Sequence, residues 1–572
     1  MSEPLNVFIP RRSVGTLGLA RVDPLALSLM PTIHGGQVIA RALKREGVDV
    51  VFALTGGHIV PILDGCVLEG IRIVDMRHEQ AAAHAAEAYS RLTGQLGTAI
   101  VTAGPGVTDT ITAVATAAYS GTPLLVIGGR HLIRQELRGG LQEMDHPRLF
   151  SSITAWAHTA WETGRLGNYV ATAARHAFRG RGSPVFLDVP LDVQADMVEE
   201  TSIDWRPGLR ATEPAGAHPQ AVAEAVKLLT GALRPMVFAG GGLKPSRAES
   251  LLAVAETLGA PVFLNGAARG ALPHGHPLLC GASRRTAFAS TDLVLAIGVD
   301  WDFRAGYGEQ ISAAAQVVQV DAEPTKIGWN HPAALGITAD PGVFLSQLAE
   351  HAESFRRQET PAWTADIVAE EAALRQAAEV EAQSEQSPVH PQRFAREVAR
   401  FFGPDAIVAV DGGDIVSTTA RWLETSHPGH LLDPGPFGTL GTGAPYAIAA
   451  SVVYPDRLVG IVYGDGAFGF NGFEYDTMIR HRLPVVGVVG NDGVWNNIKT
   501  FHRAFYPDRL VATDLGVRPY HAMVAGLGGY GEFVDRPAEI RPALARARAS
   551  GLPALVNVAL AETMRASSNY QQ

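Results

Sequence analysis

The chain is 572 residues long, 47% of them hydrophobic and 18% charged, and its formal net charge is −10. The acidic balance and the lack of a basic run argue against nucleic acid or an anionic membrane as a partner, and no apolar stretch is long enough to span a bilayer. Cys66 and Cys280 lie far apart without metal-ligand spacing, which favours buried thiols in a reducing cytoplasm over a disulfide framework or a zinc site.

A chain of this length predicts about three domains. We expect an N-terminal arm over residues 1–31 and a first α/β domain over residues 32–195. In that domain apolar strands, glycine turns and helices alternate, as they do in a doubly wound parallel sheet. The strands are predicted at 48–53, 71–76, 97–102, 124–127 and 184–190, and an alanine-rich helix at 79–92.

A second α/β domain is predicted over residues 217–355. Three glycines, 240–242, follow its first strand, and Asp321 ends a later one. This pattern suits a nucleotide-like group such as ADP, CoA or FAD, but plain structural turns remain the alternative because the spaced dinucleotide fingerprint is missing. Residues 356–387, rich in Glu, Ala, Gln and Arg, are predicted to form a solvated helix and linker. The strands are predicted at 235–239, 262–264, 293–297 and 317–320.

A third α/β domain is predicted over residues 388–560, followed by a polar tail over 561–572. It repeats the plan of the first domain, with strands, glycine turns and an alanine-rich helix. Its strands are predicted at 406–410, 458–463, 484–489 and 554–558, and its helices at 391–402 and 444–450.

Two neighbouring strands of the third domain each end in residues that carry oxygen ligands. Asp465, in Gly464-Asp465-Gly466, follows one strand and Asp492 the next, and the turn at Val494 can supply a backbone carbonyl. Because open α/β sheets bind ligands outside the carboxyl ends of their strands, we expect these oxygens to meet there. Hard oxygens shared with a diphosphate suit Mg²⁺. A lone Gly-Asp-Gly triplet is otherwise ordinary turn chemistry.

Residues 464–497 resemble the thiamine diphosphate (ThDP) motif, which opens with Gly-Asp-Gly and closes with an Asn pair. Residues 76–89, with 56–58 upstream and 102–106 downstream, resemble the pyrimidine-binding domain of the ThDP-dependent decarboxylase and acetolactate synthase-like superfamily. The resemblance covers about residues 32–560 and implies three domains, which are pyrimidine-binding, central and diphosphate-binding. It also implies ThDP and Mg²⁺ as cofactors.

The resemblance implies a catalytic role for three residues. Glu79 matches the Glu that hydrogen-bonds the aminopyrimidine of ThDP and promotes formation of the carbanion at thiazolium C2. His58 matches an active-site His of benzaldehyde lyase-like members, and Gln142 matches a Gln near the thiazolium in acetolactate synthase-like members. From local sequence alone, Glu79 is equally well a helix-start acid that complements the dipole, and His58 a structural histidine.

Leu440 matches the bulky side chain over which the family folds the cofactor, with Gly438 and Gly413 flanking the pyrimidine. One departure is Asp492, which stands where the family usually has Asn. An Asp still ligates Mg²⁺ but adds negative charge near the diphosphate. The other residues predicted to bind the cofactor are Asp414, Gly464, Gly466, Ala467 and Asn491.

Within the superfamily the resemblance is strongest to bacterial 2-hydroxyacyl-CoA lyases. It implies reversible cleavage of the C1–C2 bond of a 2-hydroxyacyl-CoA into an aldehyde or ketone and formyl-CoA. Trp495 and Asn496 would face the substrate, although core packing is an even alternative for Trp495. The cations predicted for the CoA phosphates, with solvated surface positions as the alternative, are Arg284, Arg285 and Arg304. The segments that carry this resemblance are residues 55–58, 283–288, 302–308 and 433–441.

Two other activities remain open. One is an acetolactate synthase-like or benzaldehyde lyase-like carboligase acting on free 2-oxo acids or aldehydes, and the other is a pyruvate oxidase-like oxidoreductase with FAD in the central domain. The resemblance also implies a homodimer or homotetramer with shared active sites, in which the pyrimidine domain of one chain meets the diphosphate domain of another. The sequence agrees in placing Glu79 and Asp465 in separate α/β units.

Overall fold

The computed structural model describes residues 32–205 and 213–563. The predicted N-terminal arm and most of the predicted tail lie outside the described residues. Three six-stranded parallel sheets with helices confirm the predicted class of three α/β units, while the predicted domain boundaries stay predictions. A short antiparallel pair, Thr32–His34 with Met197–Glu199, joins the start of the first unit to its end.

Three strands of the N-terminal sheet, Gly97–Val101, Leu124–Arg130 and Pro184–Pro190, are buried along their whole length, as expected where helices cover both faces. In spatial order its strands are Arg72–Asp75, Val50–Ala53, Gly97–Val101, Leu124–Arg130, Pro184–Pro190 and Trp156–Thr159. Its helices are Gly35–Arg45, Val60–Leu68, Glu79–Thr93, Pro105–Thr108, Ile111–Ser120, His146–Phe150, Leu166–Ala177 and Leu191–Ala195.

The central sheet is likewise parallel, and its core is separate from those of the other two units. In spatial order its strands are Leu279–Cys280, Val262–Leu264, Pro235–Ala239, Leu293–Ile297, Gln316–Asp321 and Leu335–Thr338. The helices of this part of the chain are Pro219–Gly231, Ser250–Leu258, Arg284–Ser290, Pro341–Ala349, Ala352–Phe355 and Ala362–Glu381.

The C-terminal sheet carries the two strands that end at the predicted metal ligands. In spatial order its strands are Leu431–Leu432, Ile407–Asp411, Val459–Gly464, Val486–Asn491, Ala554–Ala559 and Tyr530–Val534. Its helices are Pro391–Phe402, Asp414–Ala420, Gly443–Val453, Asp465–Asn471, Tyr475–Arg480, Asn496–Phe505, Tyr520–Gly526 and Ile540–Ala549.

The N- and C-terminal sheets share one strand order, 2-1-3-4-6-5 when each sheet is numbered along the chain, and the central sheet has the order 3-2-1-4-5-6. In the shared order the first and third strands are neighbours, and a crevice opens between the loops that follow them. Those loops begin at Leu54 and Thr102 in the N-terminal unit and at Gly412 and Asp465 in the C-terminal unit. Each unit therefore presents one crevice suited to a ligand.

One continuous hydrophobic core joins the N- and C-terminal units. Helix Glu79–Thr93 packs against helix Gly443–Val453, and the buried residues at their contact include Ala82, Ala86 and Ala447. Alanine has no side chain beyond Cβ, so the two backbones can come close together. The alanine-rich composition of both helices is thus explained by their mutual burial.

These two helices are parallel, because the residues that contact each other occur in the same order along both helices. Tyr446 Oη donates to Glu87 Oε2 at 2.8 Å, and further along Tyr454 Oη donates to the Leu92 carbonyl at 3.4 Å. The starts of the two helices consequently lie at the same end of the contact. Glu79 and the turn that carries Leu440 are at these starts.

Five strands of the three six-stranded sheets were not predicted from the sequence, and all five are edge strands. An edge strand has one sheet neighbour and faces solvent, so its apolar pattern is weak and its length short. The five are Trp156–Thr159, Leu279–Cys280, Leu335–Thr338, Leu431–Leu432 and Tyr530–Val534.

The helix predicted within residues 356–387 is present as Ala362–Glu381, but it is not solvated on every side. Its residue Glu371 is 5% exposed. Glu371 Oε2 accepts the backbone N–H groups of Gly281 and Ser283, each at 2.9 Å. Through Glu371 the helix therefore binds a loop of the central unit and is not only a linker.

Arg181, from the N-terminal unit, is buried against the central unit. Its Nε donates to Asp321 Oδ1 at 2.8 Å, its Nη2 contacts Asp321 Oδ2, and its Nη1 donates to Asp300 Oδ2 at 2.8 Å. Asp321 is the strand-end acid predicted for a nucleotide-like group. Its carboxylate is engaged by Arg181 in this structure, and the nucleotide-like group stays a prediction.

We expect Arg181→Met to lower the free energy of unfolding by about 3–5 kcal/mol, because it leaves the buried Asp321 without its cation, while Asp300 keeps Lys326. Arg165→Met is the control. It removes an exposed ion pair with Glu162 and a cation–π contact with Tyr169, so it should change stability by about 1 kcal/mol or less. Guanidinium denaturation of both variants provides the measurement. Equal stability of the two variants would show that the contacts of Arg181 with Asp300 and Asp321 do not hold the N-terminal and central units together.

Candidate active site

Asp465 lies in the crevice of the C-terminal sheet, where strand Val459–Gly464 ends. Its carboxylate accepts the backbone N–H groups of Gly466 and Gly493, both at 2.8 Å, and the residue is 4% exposed. Because Gly493 belongs to the loop after the neighbouring strand, these bonds hold Asp465 between the two strand ends. Burial raises the pKa of Asp465 to about 6.

Further carboxylates stand next to Asp465. Burial, followed by repulsion from Asp465, Asp414 and Glu562, raises the pKa of Asp492 to about 7. Asn496 Nδ2 donates to Asp414 Oδ2 at 3.3 Å, while the buried Asn496 Oδ1 has no hydrogen-bond partner among the described residues. The crevice thus gathers negative charge and one free acceptor.

The residues present fit a divalent cation that carries a diphosphate. Among the described residues, no Lys, Arg or His forms an ion pair with Asp414, Asp465 or Asp492, so this buried negative charge lacks a counter-charge. The donors are all oxygens, which Mg²⁺ prefers. Val494 lies in the same loop, and its N–H donates to Asp492 Oδ1 at 3.2 Å. Asp465, Asp492 and the Val494 carbonyl would hold the metal.

Leu440 lies half-buried in the turn before helix Gly443–Val453. The turn is held by Asp411, the last residue of a buried strand, whose carboxylate accepts the N–H of Gly441 at 3.1 Å and of Gly443 at 2.8 Å. Gly438, in the same turn, has φ +66° and open space where a side chain would lie. The turn therefore presents Leu440 beside open space, as a wedge under a bent cofactor requires. Gly413 is exposed at the start of the crevice.

Two other predicted residues pack against the crevice instead of opening into it. The Trp495 ring fills the space beside Gly466, where a Cβ would come within 2.3 Å of Trp495 Cζ3, so residue 466 has to be glycine. Asn491 Nδ2 donates to Asn557 Oδ1 at 3.0 Å and braces the strand end. Ala467 is buried in the helix that begins at Asp465.

His58 lies in the crevice of the N-terminal sheet. Its Nδ1 is 3.3 Å from Thr102 Oγ1, and its backbone carbonyl accepts Gln194 Nε2 at 2.8 Å. Burial, with the nearby His131 and His146, lowers the pKa of His58. A neutral imidazole at pH 7 can accept a proton from a substrate hydroxyl and return it.

Glu79 and Gln142 approach the same turn, residues 102–106. Glu79 begins its helix, and its Oε1 lies 3.3 Å from the position that a Cβ on Gly106 would take. Gln142, with φ +61°, lies against Gly104, and its side chain is near enough to His58 to oppose the lowering of the His58 pKa. The three residues predicted to be catalytic thus surround one turn of the N-terminal sheet.

A buried polar network supports this turn and was not predicted from the sequence. His146 Nε2 accepts the N–H of Gly104 at 3.0 Å, and His146 Nδ1 lies 2.9 Å from Asp188 Oδ1. Arg130 Nη1 donates to Asp188 Oδ2 at 2.6 Å. The Gly104 bond makes Nε2 the acceptor, so Nδ1 carries the proton and His146 is a neutral support.

The predicted arginines differ in their surroundings. Arg304 is held by Asp302, with Nε and Nη2 at 3.0 and 2.7 Å from Oδ2, and Arg285 is exposed. Arg284 and Arg269 are half-buried and form no ion pair with a carboxylate in the part of the chain that the structure describes. Burial lowers the pKa of both, and Arg269 lowers the pKa of Arg284 further. Their N–H groups are available to an anion.

The structure gathers the predicted residues in two groups. The N-terminal crevice holds His58, Glu79 and Gln142, and the C-terminal crevice holds Asp465 and Asp492 with their neighbours. No hydrogen bond joins Glu79 or His58 to either metal ligand within the described chain. The supporting residues that the sequence did not reveal are Asp188, Gln194, Arg269, Asp411 and His146. For Asp188 and Asp411 a signal existed, since each is a carboxylate within an otherwise apolar strand.

Three models of one family match the chain. They are the N-terminal TPP binding domain of thiamine pyrophosphate enzymes over residues 33–149, the central domain over 222–348 and the C-terminal TPP binding domain over 411–558. Thiamine pyrophosphate is another name for ThDP. The two crevices described above lie in the two TPP binding domains. The chain belongs to the thiamine pyrophosphate enzyme family.

Relatives across nearly the whole chain carry two kinds of name. A probable acetolactate synthase from Mycobacterium bovis is 40% identical over 530 residues, which cover 92% of this chain and 96% of that protein. 2-Hydroxyacyl-CoA lyase 2 from Homo sapiens is 34% identical over 583 residues, covering 93% and 90%, and that from Bos taurus is 35% identical over 558 residues, covering 89% and 86%. These relatives confirm the predicted superfamily and leave its two named activities as the candidates.

Within the described ranges, no helix combines the length and the apolar composition that a membrane crossing requires.

We expect Mg²⁺-dependent ThDP binding to weaken as the pH falls through about 7 and then 6, because protons compete with the metal for Asp492 and Asp465. Above these values both carboxylates are ionised and the affinity should level off. Quenching of tryptophan fluorescence, with Trp495 beside the site, measures binding between about pH 5.5 and 8.5. For Asp492→Asn, the plot of ThDP affinity against pH should keep only the lower inflection, near the pKa of about 6 of Asp465. An affinity that does not change with pH would contradict the assignment of these ligands.

Proposed function

We propose that the protein is a ThDP- and Mg²⁺-dependent carbon–carbon lyase that cleaves a 2-hydroxyacyl-CoA into an aldehyde or ketone and formyl-CoA, or forms that bond in reverse. The CoA part of the proposal is carried by two half-buried arginines, Arg269 and Arg284, neither of which forms an ion pair among the described residues. Asp433 attracts Arg269 without forming such a pair, and no carboxylate of the described chain acts on Arg284. The relatives named 2-hydroxyacyl-CoA lyase 2 support the reaction.

Each predicted residue has a chemical task in this proposal. When bound, ThDP would supply a nucleophilic carbon at thiazolium C2 and a positively charged ring that can take up the electron pair of the broken carbon–carbon bond. Glu79 hydrogen-bonds the pyrimidine, and Asp465 and Asp492 hold Mg²⁺ and through it the diphosphate. His58, neutral at pH 7, accepts or returns the proton of the substrate hydroxyl, and Gln142 orients it.

The arginine pair suits the phosphates of CoA for an electrostatic reason. A buried guanidinium without an acceptor is unfavourable, and two adjacent ones also repel each other, as the effect of Arg269 on Arg284 shows. An anionic group between them relieves both costs, and guanidinium matches phosphate geometry well. Arg304, committed to Asp302, is a weaker candidate, and the exposed Arg285 the weakest.

A second candidate is an acetolactate synthase-like carboligase that acts on free 2-oxo acids. The relative from Mycobacterium bovis, named a probable acetolactate synthase and 40% identical, favours it. Both activities use the same ThDP chemistry and the same crevices. They differ in whether the substrate carries a large anionic group, so the arginine pair distinguishes them.

We further propose that two chains complete each active site, the N-terminal crevice of one facing the C-terminal crevice of the other. Large apolar side chains are exposed next to both crevices, which supports a second copy as their cover. Leu137 and Leu141, on the loop of Gln142, are 91% and 76% exposed. Phe470 and Phe473, after Asp465, are 54% and 51% exposed.

We expect Arg269→Met and Arg284→Met each to raise the KM for a 2-hydroxyacyl-CoA about ten- to a hundredfold, since a charge-assisted phosphate contact contributes roughly 1.5–3 kcal/mol. The kcat should change little, because the contact is made equally in the ground and transition states. Arg285→Met, an exposed arginine beside Arg284 in sequence, is the matched control and should leave KM unchanged. Products are read by mass spectrometry.

The deciding comparison uses a 2-hydroxyacyl-CoA and its free acid as substrates of the wild-type enzyme. We expect the enzyme to cleave the carbon–carbon bond of the 2-hydroxyacyl-CoA but not that of the free acid. We also expect free CoA to inhibit the reaction. Equal turnover of both, together with KM values that neither Arg269→Met nor Arg284→Met alters, would reject the CoA substrate. Formation of acetolactate from pyruvate would then favour the carboligase.

A further inference from the structure

Glu474 is a buried carboxylate of the C-terminal unit that the proposed chemistry does not use. It ends the single-turn helix Gly472–Glu474 and is 1% exposed. No Lys, Arg or His forms an ion pair with it among the described residues, and burial raises its pKa to about 7. A charge in such a place is unfavourable unless hydrogen bonds compensate it.

The hydrogen bonds of Glu474 cross to the other unit. Its Oε1 accepts the backbone N–H of Arg77 at 3.0 Å, and the backbone of His78 lies close enough to the carboxylate to lower its pKa. Its Oε2 accepts Thr477 Oγ1–H at 2.6 Å. Arg77 and His78 are the two residues before Glu79. Glu474 therefore binds the turn from which the helix of Glu79 starts.

Other contacts of the same segment hold the residues on either side of that turn. Arg480 Nη2 donates to the Asp75 carbonyl at 2.8 Å. Asn471 Nδ2 donates to the Gly441 carbonyl at 2.7 Å and lies 3.5 Å from Gln80 Oε1. Glu474 lies at the buried centre of these contacts. Of Glu474, Arg480 and Asn471, only Glu474 has partners that directly precede Glu79.

We propose that Glu474 is a positioning residue for Glu79. Its carboxylate fixes the backbone of Arg77 and His78 and so sets the position of the Glu79 carboxylate beside Gly106. The inference rests on the cofactor role of Glu79 in the proposed function. A displacement of about 1 Å at a reacting group can reduce a rate a hundredfold, so a fixed backbone here has a measurable effect.

The test compares Glu474→Gln, which keeps the shape and one acceptor, with Glu397→Gln. Glu397 is similarly buried in the C-terminal unit, but its partners, among them Arg393 and Arg541, lie in that unit as well. In the cofactor-free protein we expect faster amide exchange of residues 76–79 in Glu474→Gln only. With ThDP bound, exchange of the thiazolium C2 proton, followed by NMR, should slow about ten- to a hundredfold in Glu474→Gln only.

A double variant separates positioning from a general loss of structure. Glu474→Gln should add no further loss of C2 proton exchange to Glu79→Gln, because it acts through Glu79. Additive losses, or unchanged amide exchange at residues 76–79, would overturn the proposal. If Glu474→Gln does not fold, Thr477→Val removes one bond to the carboxylate and should show the same effects more weakly. Wild-type C2 exchange in Glu79→Gln alone would instead reject the role of Glu79.

Discussion

The packing of helix Glu79–Thr93 against helix Gly443–Val453 is the contact on which the rest of the structure depends. It joins two sheets of the same strand order through one core, and it brings the starts of both helices to one end. Glu79 and the turn of Leu440 are at these starts, and in the proposed dimer each of them belongs to a different active site that the partner chain completes. The polar junction at Glu474 then fixes their position more finely than apolar packing alone can.

Charged residues within this fold mark the proposed binding sites. The C-terminal crevice collects Asp414, Asp465 and Asp492, none of which forms an ion pair with a cation among the described residues, and burial raises the pKa of Asp465 to about 6 and that of Asp492 to about 7. The central unit shows the opposite imbalance at Arg269 and Arg284. In the proposed function, a metal with a diphosphate would neutralise the first site and an anionic substrate group the second.

The sequence predicted the parts of the molecule whose signals are local. Buried strands such as Pro235–Ala239 and Pro184–Pro190 have the same bounds as expected, because burial on both faces makes them uniformly apolar. Five of the six edge strands of the large sheets were missed, since an edge strand has only one neighbour, and only Arg72–Asp75 was predicted. In the candidate site, the residues at strand ends were recognisable from the sequence. Glu474 was not, because its partner Arg77 lies hundreds of residues away in the chain. Arg269 was not, because its proposed role depends on its forming no ion pair among the described residues.

The central claim is that the two crevices form one active site across two chains, and subunit complementation tests it most directly. Glu79→Gln and Asp465→Ala, each inactive alone, are co-expressed with different tags. In a mixed dimer one site combines both intact halves, so random mixing should restore about a quarter of the wild-type activity, and purified mixed dimers about half. Absence of any regained activity in verified mixed dimers would contradict the account.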